Sequence, residues 1–186
     1  MSGGHGHVDG SNKKIALLVA VLAALLAISE MAGKSSQTHA LSSHIDASNL
    51  WSFFQAKTIR QTTMRTAADG ADAQFKDTPQ SMPAALKAQS EQWRRTAQRY
   101  ESEPETNEGR KELMARAKDK EAFRDRSLAA YHMFEYGSAC FQLAIVLAGA
   151  AALTAVAWLT FVSFGLGAVG IGFTVLGFVA PTLVHI

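Results

Sequence analysis

The last quarter of the chain has no charged side chain. Residues 136–186 contain no Asp, Glu, Lys or Arg, although the 186-residue chain has 18 basic and 16 acidic residues. Every Lys and Arg except Lys13 and Lys14 falls between Lys34 and Arg126 instead. A run this long without charge cannot form a soluble surface. These residues are therefore predicted to lie in lipid, with the lipid bilayer as their partner.

Cysteine and catalytic motifs are scarce as well. The single Cys140 lies in an apolar run, which excludes an intramolecular disulfide and a CxxC site. The sequence has no phosphate-binding glycine loop, no HExxH zinc motif and no ordered set of Ser, His and Asp. Its net charge of +2 comes from interspersed charges rather than a basic patch. We therefore expect no enzyme activity, no cofactor, no metal and no nucleic-acid partner.

The first apolar segment is long enough to cross a bilayer. Ile15 to Ile28 is entirely apolar, and the following small and apolar residues extend a predicted transmembrane helix over 15–33. A secretory signal peptide is the alternative, because Lys13 and Lys14 precede the apolar run. Glu30, however, stands where a small-residue cleavage site would be required. Residues 1–14, which include His5 and His7, are predicted to be a flexible tail.

The uncharged C-terminal region is too long for one transmembrane helix and long enough for two. We predict spans over 137–158 and 161–184, with a turn between Trp158 and Gly165. Small residues recur in the last span at the spacing that lets helices approach closely in lipid, as in the pairs Ser163–Gly167 and Ala168–Gly172. We therefore predict helix packing or interaction, with another span or a second copy of the chain, at Gly165, Gly167, Ala168 and Gly172.

The charged middle of the chain, residues 34–136, has the periodicity of helices. Residues 35–69 contain no Gly or Pro, and their apolar residues recur every three to five positions. Breaks at 70–83 and 103–109 then separate two further helical segments, the second leading into the next span. The predicted fold is therefore all-α: three transmembrane helices and a long antiparallel, coiled-coil-like extramembrane hairpin.

Several polar residues of the first middle helix lie beside aromatic ones. Gln55, Lys57, Arg60 and Gln61 follow Trp51 and Phe54. They are either solvent-exposed or, as we predict, part of a buried polar contact between helices, with Trp51, Phe54, Gln55 and Arg60 as packing or interaction residues. Near the ends of the spans, Glu30 and Lys34 have the spacing of an ion pair, and His132 and Glu135 lie one turn apart as a predicted interfacial pair.

Two segments carry a resemblance to a known family. Residues 49–62 (NLWSFFQAKTIRQT) and 132–154 (HMFEYGSACFQLAIVLAGAAALT) resemble the bacterial membrane proteins grouped as domain of unknown function family 4337. The resemblance covers most of the chain from about Lys13 onward. It implies this arrangement of helices and a bacterial inner (cytoplasmic) membrane location, and it implies no activity.

The orientation signals in the sequence conflict. Lys13 and Lys14 favour a cytoplasmic N-terminus and hence a periplasmic helical domain, whereas Lys34, Arg124 and Arg126 favour a cytoplasmic domain. Because the first span usually dominates, the periplasmic side is favoured. The function we predict is a structural or interaction subunit that self-associates as a homo-oligomer or joins other membrane protein subunits. Alternatives are a transporter or channel accessory subunit, and a membrane-bound enzyme with a site near the base of the helical domain.

Overall fold

The fold is all-helical, as predicted. The computed structural model describes residues 10–183, and within that range it contains four α-helices and no strand. The helices are α1 (Gly10–Gln74), α2 (Ala84–Glu101), α3 (Arg110–Thr154) and α4 (Ala157–Val179), and a short 3₁₀ turn covers Pro79–Ser81. His5 and His7 lie outside the described residues.

Three of these helices are long and apolar enough to cross a membrane. They are α1, from its Lys13 onward, together with α3 and α4. In α1 and α3 the apolar part is only one portion of a longer helix, because both helices also carry the charged residues of the middle region. The number of candidate spans agrees with the sequence prediction, and the chain has the character of a membrane protein. The limits 15–33, 137–158 and 161–184 stay predictions.

The chain divides into two compact units. The first contains the described residues up to Leu41 and those from Arg124 onward, and the second is Ser42–Phe123. In the first unit Leu22 of α1 packs with Phe141 and Ala144 of α3. Partly buried apolar residues surround this core: Leu18, Leu25, Leu26, Ile145 and Leu166. We call these two parts the apolar unit and the charged unit.

The turn between α3 and α4 does not lie where the sequence predicted it. The prediction placed it between Trp158 and Gly165, whereas α3 ends at Thr154 and α4 already contains Trp158. Ala155 ends the helix by adopting the left-handed conformation, with φ of 56°, and its N–H donates to the carbonyl of Ala151 at 3.0 Å. Glycine usually occupies such a position, so no glycine or proline marks this turn in the sequence.

The first break in the middle region also differs in detail. The predicted break began at Gly70, but α1 continues through this residue to Gln74. A single glycine inside a helix costs about 1 kcal/mol relative to alanine and does not by itself end the helix. At the start of α2, Pro83 takes the cap position.

In the charged unit, contacts between α1 and α2 join residues in opposite order. The amide of Gln61 donates to the carbonyl of Ala97 at 3.1 Å, and Ser90 donates to the carbonyl of Ala68 at 3.5 Å. Higher-numbered residues of α1 thus meet lower-numbered residues of α2. Small buried side chains make these close contacts possible: Ala47, Ala68, Ala97 and Ala117, alongside the fully buried Leu113.

Candidate functional site

One face of α1 in the charged unit buries a positive charge. Lys57 is 5% exposed, and its ammonium lies 3.4 Å from a carboxylate oxygen of Glu103 and 3.9 Å from one of Glu108. The same ammonium lies 5.5 Å from the ring centre of Phe53 and 5.2 Å from that of Tyr100. Carboxylates and aromatic faces together offset the loss of hydration that burial of a charge causes.

A second buried polar group, Gln61, connects all three helices of this unit. Its amide nitrogen donates to Glu101 at 2.8 Å as well as to Ala97, and its amide oxygen accepts from the guanidinium of Arg110 at 2.7 Å. Arg110 also donates to Glu101 at 2.8 Å and to Thr58 at 2.9 Å. We call Lys57, Gln61, Glu101, Glu103 and Arg110 the inner polar network.

Hydrogen bonding lowers the pKa of two carboxyl groups near this network. For Glu101 the chief cause is the hydrogen bond from Gln61, and the neighbouring Arg110 acts in the same direction. For Glu112 it is the hydrogen bond from the Ser102 hydroxyl at 2.6 Å. Glu112 also accepts from the backbone N–H of Glu103 at 3.2 Å, so it ties the start of α3 to the end of α2. Both carboxylates therefore fix the connection between the two helices.

A separate ion-pair cluster lies near the end of α1. Arg94 of α2 pairs with Asp72 and with Asp69, the latter at 2.9 Å, and Ser90 donates to Asp72 at 2.9 Å. The hydrogen bond that Arg94 donates to Asp72 lowers the pKa of Asp72 and raises the pKa of Arg94. These groups are solvent-exposed, and exposed pairs contribute little to stability. They help to align α2 with α1.

The buried polar side chains of the described residues all have hydrogen-bond partners. No buried side-chain nitrogen or oxygen among them lacks a hydrogen-bond partner, and no three His, Cys, Asp or Glu side chains come together as metal ligands. A fully bonded network of this kind fixes the register of the helices. The network therefore serves to position the helices.

The structure separates the predicted residues of α1 into two groups. Trp51 is half-buried; its indole N–H donates to Glu121 at 2.9 Å, and its ring meets Phe54 edge-on at 5.4 Å. Phe54 in turn lies under the Arg110 guanidinium, 5.0 Å from the ring centre. Gln55 and Arg60 are exposed and do not join the inner polar network.

The buried polar contact is thus formed by Lys57 and Gln61, and the part expected for Arg60 was wrong. The physical reason is angular, because residues of a helix are separated by about 100° and Arg60 points away from the face of Lys57 and Gln61. Lys57 and Gln61 are four apart and share a face, whereas Arg60 directly precedes Gln61 and is turned about 100° from it. Gln55 and Arg60 remain predicted residues for interaction with another protein molecule.

The small residues of α4 also divide between two faces. Ser163 is fully buried and donates to the carbonyl of Ala144 at 2.7 Å, and a side chain added at Gly167 would meet Leu22 at 2.9 Å. Gly165, Ala168 and Gly172 are exposed. The pair Ser163–Gly167 therefore packs within the chain, whereas the pair Ala168–Gly172 faces outward.

Some packing residues of the apolar unit gave no clear signal in the sequence. Ser29 is fully buried, and its hydroxyl donates to the carbonyl of Phe134 at 2.9 Å. A side chain added at Gly137 would lie 2.7 Å from the Thr174 hydroxyl and 3.1 Å from the carbonyl of Gly170. Small or hydroxyl residues on facing spans are the signal that would have indicated these positions.

The ionisable residues near the ends of the spans are partly as predicted. Glu30 does not pair with Lys34; it accepts a hydrogen bond from the amide of Gln142 at 3.2 Å, because α3 brings this amide within reach. The predicted ion pair with Lys34 was wrong. His132 and Glu135 do lie together, with 3.5 Å between Nδ1 and a carboxylate oxygen.

The opposite face of α1 in the charged unit is exposed and uncharged. We call it the α1 seam, and its exposed residues are Ile45, Ser48, Ser52, Gln55, Ile59, Thr62 and Thr66. They are spaced alternately by three and four positions, which is the heptad spacing of a coiled coil. Ile45 is 52% exposed and Ile59 is 68% exposed. From Ala47 to Ile59 the only charged residue of α1 is Lys57, which is buried.

The solvent faces of the neighbouring helices are of a different kind. The exposed residues of α2 include Lys87, Glu91, Arg94, Arg95 and Arg99, and no large apolar side chain of α2 is exposed. The exposed face of α3 in this unit likewise carries Lys111, Arg116, Lys118, Asp119 and Lys120. Among the helices of residues 42–123, only α1 presents a long outward face without charge.

These features define an all-helical membrane protein with a charged helical unit that exposes one uncharged seam. A family model described as domain of unknown function (DUF4337) matches residues 11–180. The chain belongs to this family, as the two resembling segments indicated. No curated protein and no solved structure matches the chain.

Proposed function

We propose that the protein is a membrane-anchored structural or interaction protein that self-associates through the α1 seam. The observation that carries this proposal is the exposed, uncharged face of α1 beside the charged faces of α2 and α3. A helix that faces only water normally places charged and strongly polar residues on that side. A face that lacks them over several turns is typical of a helix covered by another protein.

A second copy of the chain is the partner that fits the seam. Three apolar spans insert every copy in the same orientation, so two α1 helices side by side in one membrane run parallel. A heptad seam is then complementary to itself, because equivalent positions face each other in a parallel pair. Gln55 lies in the middle of the seam, and a single polar residue there favours one register at some cost in stability.

The apolar content of the seam is low, so confinement in the membrane is part of the proposal. Only Ile45 and Ile59 in this stretch are large and apolar. Anchoring raises the effective concentration of neighbouring copies, which lets a weak interface form without new contacts. The inner polar network fixes the other face of the same helix, and a rigid helix loses less entropy on association.

The opposite order of the α1 and α2 contacts supports the antiparallel, coiled-coil-like hairpin predicted from the sequence. We propose that this hairpin is an extramembrane stalk. Because Lys13 and Lys14 favour a cytoplasmic N-terminus, the stalk faces the periplasm of a bacterial inner membrane.

A thiol-reactive, membrane-impermeant label applied to intact cells tests on which side of the membrane the stalk lies. With Gln92→Cys, exposed on α2 and outside the seam, in a Cys140→Ala background, labelling without lysis supports the periplasm, and labelling only after lysis excludes it.

The alternatives have less support. Transport needs polar groups that line a path, but the hydroxyls of Ser29, Ser163 and Thr174 bond to backbone carbonyls of the helices in their own unit. For an enzyme near the base of the helical domain, the nearest support is the pair His132–Glu135, which no third His, Cys, Asp or Glu of residues 10–183 joins as a metal ligand. A packing role accounts for these residues without a reaction.

Cysteine cross-linking in membranes tests the proposal directly, because the chain has only one cysteine to remove. In a Cys140→Ala background, Ser52→Cys places a thiol at a seam position whose equivalents face each other in the parallel pair. Gln92→Cys, on the exposed face of α2, is the matched control. We expect a cross-linked dimer with Cys at 52 and none at 92.

The double substitution Ile45→Glu with Ile59→Glu is the complementary test in mild detergent. It introduces charges where two seams would meet, so we expect the particle mass by light scattering to fall to that of a monomer. Gln92→Glu with Gln98→Glu adds the same two charges to α2 and should leave the mass unchanged. A monomeric wild-type protein that also fails to cross-link through position 52 in membranes would overturn self-association.

A further inference from the structure

The apolar unit contains a cleft between α1 and α3 that the helix packing leaves open. Its volume is about 560 Å³, which is in the range of small-molecule sites. Its lining contains the aromatic residues Tyr131 and Phe134 and the small residue Ala139. Polar side chains also line it: Glu30, Lys34, Gln37, Glu135 and Gln142. All of these residues belong to one unit.

The cleft lies where charge ends along both helices. On α1, Glu30 and Lys34 directly follow the apolar run that begins at Ile15. On α3, Glu135 is the last charged residue of the chain. Gln142 is seven residues further along α3, or about 10 Å deeper on the apolar side. The cleft therefore extends from the aqueous boundary into the depth of lipid headgroups and glycerol.

The polar groups of the cleft are not fully used within the chain. Glu30 accepts one hydrogen bond, from Gln142, and Glu135 contacts His132 and, at 3.5 Å, the hydroxyl of Tyr131. The side chains of Lys34 and Gln37 make no hydrogen bond or ion pair with any residue between 10 and 183. A free ammonium, a free amide and two carboxylates with spare acceptor capacity thus surround one space at the boundary of the lipid, where unpaired polar groups are costly.

We propose that this cleft binds the headgroup of a phospholipid that carries both a phosphate and a primary ammonium. The lipid ammonium donates hydrogen bonds to Glu30 and Glu135, and the lipid phosphate accepts from Lys34 and Gln37. The glycerol backbone lies over Ala139, whose side chain is small and exposed. The proposal rests on membrane anchoring and does not require self-association.

The chemistry of the cleft distinguishes between headgroups. A quaternary ammonium has no N–H to donate, so the carboxylates recognise it less well than a primary ammonium. An anionic headgroup without an amine meets two carboxylates and one ammonium, which is unfavourable. We therefore expect the order phosphatidylethanolamine, then phosphatidylcholine, then phosphatidylglycerol.

Lipid binding to the full-length protein tests this order. Delipidated protein in mild detergent receives each of the three lipids, and native mass spectrometry measures the fraction that retains one lipid. For the wild type, we expect at least about tenfold tighter retention of phosphatidylethanolamine than of phosphatidylglycerol. Soluble phosphoethanolamine at the same concentration should compete poorly, because it lacks the glycerol and chains. Effective competition by it would reassign the cleft to a soluble ligand and overturn the lipid proposal.

Two substitutions separate the proposed contacts. Glu30→Gln removes an ammonium partner and should reduce retention of phosphatidylethanolamine to that of phosphatidylcholine. Lys34→Gln removes the phosphate partner and should weaken both lipids alike. Glu91→Gln, exposed on α2, is the control and should change neither.

Circular dichroism confirms folding of each variant, and Lys34→Gln is safe in this respect because its side chain is exposed and unpaired. The particle mass is measured in parallel, so that loss of lipid selectivity with unchanged mass is distinguishable from loss of self-association. Equal retention of the three lipids by the wild type, or unchanged selectivity in both variants, would overturn the proposal.

Discussion

The two faces of α1 in the charged unit place the same type of polar side chain in opposite environments, one buried and one exposed. On the inner face Gln61 is 2% exposed and bonds through both its amide nitrogen and its amide oxygen. On the outer face Gln55 is exposed, with uncharged neighbours along the seam. The same residue type, six positions apart, is thus used once to hold the chain together and once on a surface whose composition favours a partner. Composition alone does not distinguish these roles; the direction of each side chain does.

The largest effect that we expect comes from exchanging the two glutamines for alanine. Gln61→Ala leaves Glu101, Arg110 and the Ala97 carbonyl without a shared partner in a buried setting, so the free energy of unfolding should fall by about 2–3 kcal/mol. Gln55→Ala removes no bond within the chain and should change it by less than about 0.5 kcal/mol. Thermal and denaturant unfolding of the full-length protein in detergent measures both. Equal losses for the two variants would contradict the assignment of inner and outer faces.

The same comparison between inward and outward faces applies to the glycines of the apolar unit. Gly137→Ala would place a methyl group within 3.1 Å of the Gly170 carbonyl and closer still to Thr174, so we expect a loss of about 1–3 kcal/mol. Gly165→Ala meets nothing within 4 Å and should be neutral or stabilising by up to about 1 kcal/mol. The shift in melting temperature decides between them. A larger loss at Gly165 would show that the outward face of α4 is packed in the intact assembly.

Acid should lower the stability of the charged unit through Glu101 and Glu112. Their folded-state pKa values are lowered, so their stabilisation is complete above the unfolded pKa of about 4.3 and is lost as the pH falls through the folded pKa. We expect the melting temperature to drop between about pH 5 and 3, and Glu112→Gln to flatten this drop. The exposed Glu105→Gln is the control. An identical slope in the wild type and in Glu112→Gln would exclude this carboxylate as a cause.

The smallest expected effect concerns the turn between α3 and α4. Ala155 has a φ of 56°, which disfavours every residue with a Cβ, so Ala155→Gly should stabilise the protein by about 0.5–1 kcal/mol. Ala152→Gly, inside α3, should destabilise it by about 1 kcal/mol through loss of helix propensity. Opposite signs in calorimetry are the expected result. A loss at both positions would mean that the left-handed conformation at Ala155 is absent.

Features that depend on composition could be predicted from the sequence. Features that depend on the direction of a side chain, or on one backbone dihedral angle, could not. Apolar runs gave three candidate spans, because lipid requires long uncharged helices whatever their partners are. Helical periodicity indicated a polar contact near Trp51, but it did not decide that Lys57 and Gln61, rather than Arg60, form it. Glu30 was assigned to Lys34 because they are close in sequence, whereas tertiary packing supplied Gln142. The turn at Ala155 involves no residue type that marks turns.

The shortness of the α3–α4 turn has a consequence for biogenesis. Only Ala155 and Val156 separate the two helices, and no residue after Glu135 is charged. If α3 and α4 cross a membrane, neither an ionised group nor a long polar loop at the tip of the pair has to pass through the hydrocarbon, whichever side it starts from. Insertion of the pair as one unit would leave α1 to set the orientation of the whole polypeptide. Placing two lysines at residues 155 and 156 would oppose this step while leaving the first apolar segment intact.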